Sequence, residues 1–165
     1  MPEKTKTSMF TLPSDREIAS SRVLDAPPDL VYKAYTDPDA IAQWWGPSRY
    51  TTTVDKLELR PGGAWRFIQR AEDGGEHIFS GVFRDVVPSK RLVFTFNYEA
   101  IPGHEAVQTV AIEAVEGGKT KVSDNMLFSN REDRDGMLQS GMEEGALESQ
   151  ERLVALLEKL KAPRR

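Results

Sequence analysis

The 165 residues include no cysteine. That absence excludes disulfides, thiolate metal centres, cysteine nucleophiles and CxxC redox chemistry together. Histidine is nearly as scarce: His77 and His104 are the only two, too few for a three-histidine metal site. Long apolar runs are missing as well. No stretch approaches the ~20 apolar residues that cross a bilayer. Lys4 and Lys6 near the start are not followed by the apolar core of a secretory leader. The expected location is therefore the cytoplasm, with no membrane span.

An excess of positive charge is absent too. Lys and Arg number 22 against 26 Asp and Glu, a net charge of −4, with a pI near 5.3. A surface that neutralises many phosphates needs a basic face, and the basic runs here are short ones near the two ends. Nucleic acid is not an expected partner. The sequence also lacks a G-x-S-x-G elbow, an H-E-x-x-H helix and an EF-hand loop. Gly118-Lys119-Thr120 ends like a phosphate loop, but Glu113 stands where that motif needs glycine. The flanks are strand-like, so the tripeptide reads as a β-turn. No catalytic constellation, metal or cofactor is expected.

What is present is ordinary globular composition: 39% hydrophobic, 29% charged, with 12 Gly and 10 Pro. A chain of this length buries roughly 70% of its unfolded surface, enough for a core without metal or disulfide support. Residues 1–13 are polar and aperiodic and read as an arm, leaving 14–165 as one domain. Ile18 to Leu24 reads as a first strand. Asp25-Ala26-Pro27-Pro28 starts a short helix, with proline in the first turn where its missing N–H costs nothing. That helix stops before Pro38, since the residue preceding proline is pushed out of the α region. Asp37 then caps a second short helix carrying Ile41, Trp44 and Trp45, ended by Gly46-Pro47.

Period-two patterning follows. Thr51 to Leu59, Trp65 to the Asp73-Gly74-Gly75 turn, Ile78 to Val87, Leu92 to Tyr98, Val107 to Val115 and Lys121 to Phe128 read as successive antiparallel strands. Ser129-Asn130-Arg131-Glu132 has capping-box form and opens a helical pattern running to Leu160. Read as one helix it is about thirty residues long, beyond the globular mean, and long enough to lie along the whole sheet. The order is α+β: strand, two short helices, about six more strands, one long helix. A curved sheet covered by a single helix leaves an interior that small ligands can occupy.

Asp37-Pro38-x-x-Ile41-x-x-Trp44-Trp45-Gly46-Pro47 resembles a signature of the activator-of-heat-shock-ATPase-like proteins, in the START-like or SRPBCC superfamily. Arg60-Pro61-Gly62-Gly63-Ala64-Trp65-Arg66, Phe79-Ser80-Gly81-Val82-Phe83 and Arg134-Asp135-Gly136-Met137 to Gly145 are similar to its later motifs, in the same order. The resemblance runs from about Ile18 to Leu160. It implies a helix-grip fold, a curved antiparallel sheet gripping the C-terminal helix around a cavity. On function it implies a hydrophobic small-molecule ligand (lipid or polyketide-like). It implies as alternatives a stress co-chaperone that stimulates a heat-shock ATPase, or a cyclase or hydrolase using polar cavity residues such as Asp124 and His104. Only the arm precedes the first strand, with no counterpart of the co-chaperone's N-terminal chaperone-binding domain. A homodimer is left open.

Strand alternation and helix phase nominate Trp65, Phe67, Phe94, Phe96, Tyr98, Met126 and Met142 as the cavity lining. Trp44 and Trp45 are adjacent on a helix, so their side chains point about 100° apart and only one can enter the deep core. The other faces the cavity or its rim. Asp124 shares a strand face with Val122, Met126 and Phe128; turned inward it needs partners or a raised pKa, and at a bulge it is solvated. His104, after Pro102-Gly103, can reach a cavity mouth, whereas His77 reads as a surface or rim residue. Arg66 and Arg70 are surface charges unless one turns inward. Gly141 and Gly145 form a notch on the long helix that admits either a ligand or, as the plainer reading, close approach of the sheet.

Overall fold

The structure is a computed structural model and describes residues 10–161, with every side chain among them except that of Met142. The lining role expected for Met142, the first nine residues of the arm, and the basic residues Lys4, Lys6, Arg164 and Arg165 lie outside what is described.

Seven strands form one antiparallel sheet: β1 (Glu17–Leu24), β2 (Tyr50–Leu57), β3 (Ala64–Ala71), β4 (Glu76–Val87), β5 (Arg91–Tyr98), β6 (Ala106–Val115) and β7 (Lys119–Phe128). Their spatial order is β1-β7-β6-β5-β4-β3-β2, so each neighbour from β2 to β7 follows in sequence and β1 closes the far edge on β7. Between β1 and β2 run α1 (Pro28–Thr36) and α2 (Pro38–Trp44); after β7 come α3 (Arg131–Gln139) and α4 (Met142–Lys161). This is the helix-grip arrangement. Alternation decides which side chains face the helix: Leu92, Phe94 and Phe96 on β5, Ala106, Val110 and Ile112 on β6, and Val122, Met126 and Phe128 on β7. Leu153, Leu156 and Leu157 of α4 join Leu92, Val110, Ile112 and Val122 in one core cluster, while Ala106, Met126 and Phe128 form a second with Met137 and Leu138 of α3.

The Asp37 side chain accepts a hydrogen bond from the Asp39 amide at 3.1 Å, the cap expected for α2. The Gly117-Gly118 turn has both residues at positive φ, and Thr120 beyond it is buried with its hydroxyl on the Ala26 carbonyl at 2.6 Å, a turn and not a phosphate loop. Thr11 forms a two-bond bridge to Ala19, so the arm is already tied to β1 at that point.

Two expectations need correction. The N-cap after β7 is Asn130, whose side chain accepts from the Asp133 amide at 2.8 Å, and not Ser129. The C-terminal helical region is also not continuous. It breaks at Gly141, φ +85°, a left-handed conformation that ends a helix cheaply only at glycine. The sequence from Leu138 to Met142 keeps the apolar spacing across the break, which is why periodicity alone misses it.

Candidate functional site

The sheet's concave face, α2, α3 and α4 enclose a cavity of about 780 Å³. Its wall on β3, β4 and β5 is aromatic. Trp65 stands 4.9 Å from Phe67 and 5.7 Å from Phe94, ring centre to ring centre, and Phe79 lies between Phe96 and Tyr98 at 5.6 and 5.2 Å. Offset and edge-to-face pairs of this kind lock a wall of fixed shape.

The two adjacent tryptophans divide, but not by helix phase: α2 ends at Trp44, and Trp45 is its extended C-cap, φ −72° and ψ 119°, which corrects the expectation that both lie on the helix. Trp44 is 5% exposed, tilts against Tyr35 and donates its indole N–H to the Ala34 carbonyl at 2.8 Å. It is a core residue that touches the cavity. Trp45 is half-buried and meets Phe67 and Phe79 edge-on at 5.1 and 5.3 Å, extending the aromatic wall. Its backbone is pinned: the Trp45 carbonyl accepts from the Thr52 hydroxyl, and the next amide, Gly46, donates to the Ser149 hydroxyl at 2.7 Å. Gly46 has φ +89°, so the turn that aims Trp45 inward favours glycine.

Polar groups enter the cavity at separate places. On the β6–β7 side Asp124 points inward. The Gln108 amide donates to its Oδ2 at 2.8 Å, and the two residues sit on neighbouring strands where Val110 pairs Asp124. Burial pushes the Asp124 carboxyl up from 3.8 to about 6, and the Gln108 bond opposes only part of that rise. Tyr35 lies close enough to feel its charge. Burial first, then Asp124, raise the Tyr35 phenol far above its ordinary value, and the Gln150 side chain partly offsets them. Asp124 is thus turned inward onto the cavity, half-buried, as the inward reading has it.

Near β2 and β4, the Tyr98 hydroxyl and the His77 Nδ1 share a hydrogen bond of 2.7 Å, with Tyr50 edge-on to the imidazole at 5.2 Å. His77 thus lines the cavity, half-buried, in keeping with the rim alternative of its expectation. At the rim His104 is exposed and its Nδ1 lies 2.7 Å from Asp133 Oδ1; the other Asp133 oxygen is buried without a hydrogen-bond partner. The exposed lining residues Arg49, Ile101, His104, Gly136 and Gly141 mark the mouth, between the α2–β2 loop, the β5–β6 loop and the α3–α4 break.

Of the residues the sequence nominates, Trp44, Trp45, Trp65, Phe67, Phe94, Phe96, Tyr98, His104, Asp124 and Met126 all line this one cavity. Tyr35, His77, Phe79, Gln108 and Gln150 join them without having been nominated. Arg66 stays outside, bound to Glu99 and Asp55, as does Arg70, bound to Glu76. A Cβ added at Gly145 would meet only the Pro47 ring, at 3.9 Å, and one at Gly141 nothing within 4 Å, which corrects the expectation of close sheet packing there. Among the described residues no group of three or more metal-ligating side chains occurs, and no helix is long and apolar enough to cross a membrane.

A family model described as "Activator of Hsp90 ATPase homolog 1-like protein" matches residues 25–158. The chain belongs to this family. The Activator-of-Hsp90-ATPase-homolog-1-like match spans α1 to nearly the end of α4, so it includes every residue that lines the cavity. No curated protein matches the sequence. Among solved structures, a Rhodobacter sphaeroides protein superposes with a TM-score of 0.85 at 23% identity, covering 93% of this chain and 99% of that one. A Chromobacterium violaceum protein is 28% identical, with a TM-score of 0.75 over 86% of this chain and 97% of its own. DynU16, a protein of the dynemicin biosynthetic locus, has a TM-score of 0.66 at 23% identity over 93% of this chain and 51% of its own. These likenesses carry the helix-grip fold, and the family membership fits a START-like ligand-binding protein.

Proposed function

We propose that this protein binds a hydrophobic small molecule, with a flat or ring-containing apolar body, in the cavity between the sheet and α4. The observation that carries the reading is the cavity itself: about 780 Å³, inside the usual range for small-molecule sites, with aromatic walls and a few polar groups at fixed places. Trp45, Phe67, Phe79 and Phe96 supply the apolar contact. His77 with Tyr98, and Asp124 with Gln108, supply orientation. Burial of an apolar ligand there is worth on the order of 25 cal/mol for each Å² removed from water, before the cost of immobilising it.

Native mass spectrometry of protein purified from its own host tests this directly. A retained small molecule, displaced by the uncharged dye Nile red, is the expected result. Absence of any retained mass together with no saturable dye binding at micromolar protein overturns the reading.

The family's description supports a second reading, stimulation of a heat-shock ATPase. Stimulation requires unequal affinity for the chaperone's conformational states, since equal binding shifts no equilibrium. Adding the protein to its host's ninety-kilodalton chaperone at micromolar concentration decides it: a several-fold rise in ATP turnover establishes that activity, and an unchanged rate removes it.

A further inference from the structure

Asp124 is the one carboxylate placed within the cavity's β6–β7 wall, and its surroundings leave it half-served. Its hydrogen bond from Gln108 ends at Oδ2. Among the described residues no lysine or arginine comes within ion-pair distance of it. The nearest cation on β1, Arg22, is exposed and donates instead to the Gln150 side chain at 3.4 Å. The flanking residues on the same sheet face are Val110, Val122 and Met126, buried and apolar, and Ser20, the half-buried β1 residue that pairs Asp124. A half-buried carboxylate with one amide donor is costly, because a charge partly withdrawn from water is stabilised by its partners. A fold can remove that cost with leucine or asparagine. Here it is kept, at a cavity wall.

We propose that Asp124 anchors the ligand, and that the ligand carries a protonated amine on its otherwise apolar body. This rests on the ligand-binding reading above and names the chemical class that the site selects. Asp124 Oδ1, not engaged by Gln108, accepts the N–H of the ammonium. The charge is then neutralised inside the protein, where an ion pair is screened far less than in water. The Tyr35 hydroxyl and the Gln150 side chain next to it complete the polar pole, and the Phe94 ring, which faces Gln108 across β5 and β6, begins the apolar one. The aromatic wall adds to the preference, because the face of an aromatic ring attracts cations. A neutral alcohol can make the hydrogen bond without the charge compensation. A carboxylate ligand meets a like charge and is rejected. The raised pKa of the Asp124 carboxyl agrees with this, since burial lifts it and the Gln108 bond is what opposes the rise.

The test uses the full-length protein and three matched probes, naphthylethylamine, naphthylethanol and naphthylacetate, each competing with Nile red at neutral pH. The amine is expected to displace the dye at a concentration about tenfold or more below the alcohol, and the acid to be weakest. In Asp124→Asn the amine and the alcohol converge. If the amine and the alcohol bind equally to the unaltered protein, the anchor assignment falls while the ligand-binding reading stands. If the amine keeps its advantage in Asp124→Asn, the preference arises elsewhere and the assignment also falls. If neither the dye nor any probe binds, both fall together. The comparison of probes on the unaltered protein needs no variant, so it decides even if the substituted chain folds poorly.

Discussion

The Trp65 indole N–H donates to the Thr95 carbonyl at 3.0 Å, across the place where a Cβ at residue 81 would stand. A methyl group there would lie 1.8 Å from that carbonyl oxygen and 2.5 Å from the indole nitrogen, so Gly81 is what lets Trp65 lie flat against β4 and β5. Trp65 in turn carries Phe67, Phe94 and Phe96 around it. A single missing side chain thus sets the aromatic wall.

Gly81→Ala is therefore expected to destabilise by on the order of 2–4 kcal/mol, from overpacking plus an unpaired buried N–H. Chemical denaturation followed by tryptophan fluorescence reads both effects: an earlier midpoint and a red-shifted native emission as Trp65 loses its place. A midpoint unchanged from the parent would show that the strands can part at that point without cost.

The two neighbouring tryptophans should separate stability from binding. Trp44→Ala removes a buried ring and leaves the Ala34 carbonyl without its donor, so a loss of roughly 3–5 kcal/mol is expected. Trp45→Phe keeps an aromatic in the half-buried position and should cost under about 1.5 kcal/mol, yet weaken apolar-dye binding several-fold by removing contact with the wall. Equal effects of the two changes on melting temperature and on dye affinity would refute this division of roles.

The order of elements was legible because alternation is a local signal. Leu92, Phe94, Phe96 and Tyr98 point one way whatever β5 pairs with, and the prolines at 28, 38 and 47 punctuate the short helices by themselves. Gln108 and Asp124 were harder. Each lies on the inward face by alternation, but their hydrogen bond depends on the register of β6 against β7, which the Glu116–Gly118 turn sets and no periodicity encodes. His77 stays between surface and rim in the sequence despite a usable signal: His77, Phe79, Gly81 and Phe83 alternate, but the acidic neighbour Glu76 keeps the outward reading open. The break at Gly141 shows the converse: Gln139-Ser140-Gly141 is a plausible helix end, overridden by an apolar spacing that continues on both sides.

The Asp124 carboxyl gives a pH-dependent prediction whose sign is fixed by the direction of its shift. Its folded pKa, about 6, lies above its ordinary value of 3.8, so the native state binds the proton more tightly than the unfolded state does. Stability from this group is intact below 3.8, falls as pH rises through the interval, and reaches its full deficit above about 6. Asp124→Asn keeps an acceptor for Gln108 and removes the charge. It should stabilise the protein by on the order of 2 kcal/mol at neutral pH and by almost nothing near pH 4. Thermal melts of both proteins across that range check it. A variant less stable than the parent at neutral pH would mean that the charged form is well partnered.

Ala146 offers a test of whether the cavity is space that a ligand can use. It lies on α4 facing the cavity, half-buried, one residue beyond Gly145. In a closely packed interior, adding a large ring at such a position forces neighbours off their rotamers and costs typically 1–3 kcal/mol. In an empty, apolar space the same ring finds contact atoms that the alanine lacked, and the cost is absent or reversed. Ala146→Phe is thus expected to leave the melting temperature unchanged or raise it, while reducing Nile red binding by about tenfold or more through simple occupation. Destabilisation with dye binding retained would mean that the helix sits tightly on the sheet at this level and that the dye reports some other surface.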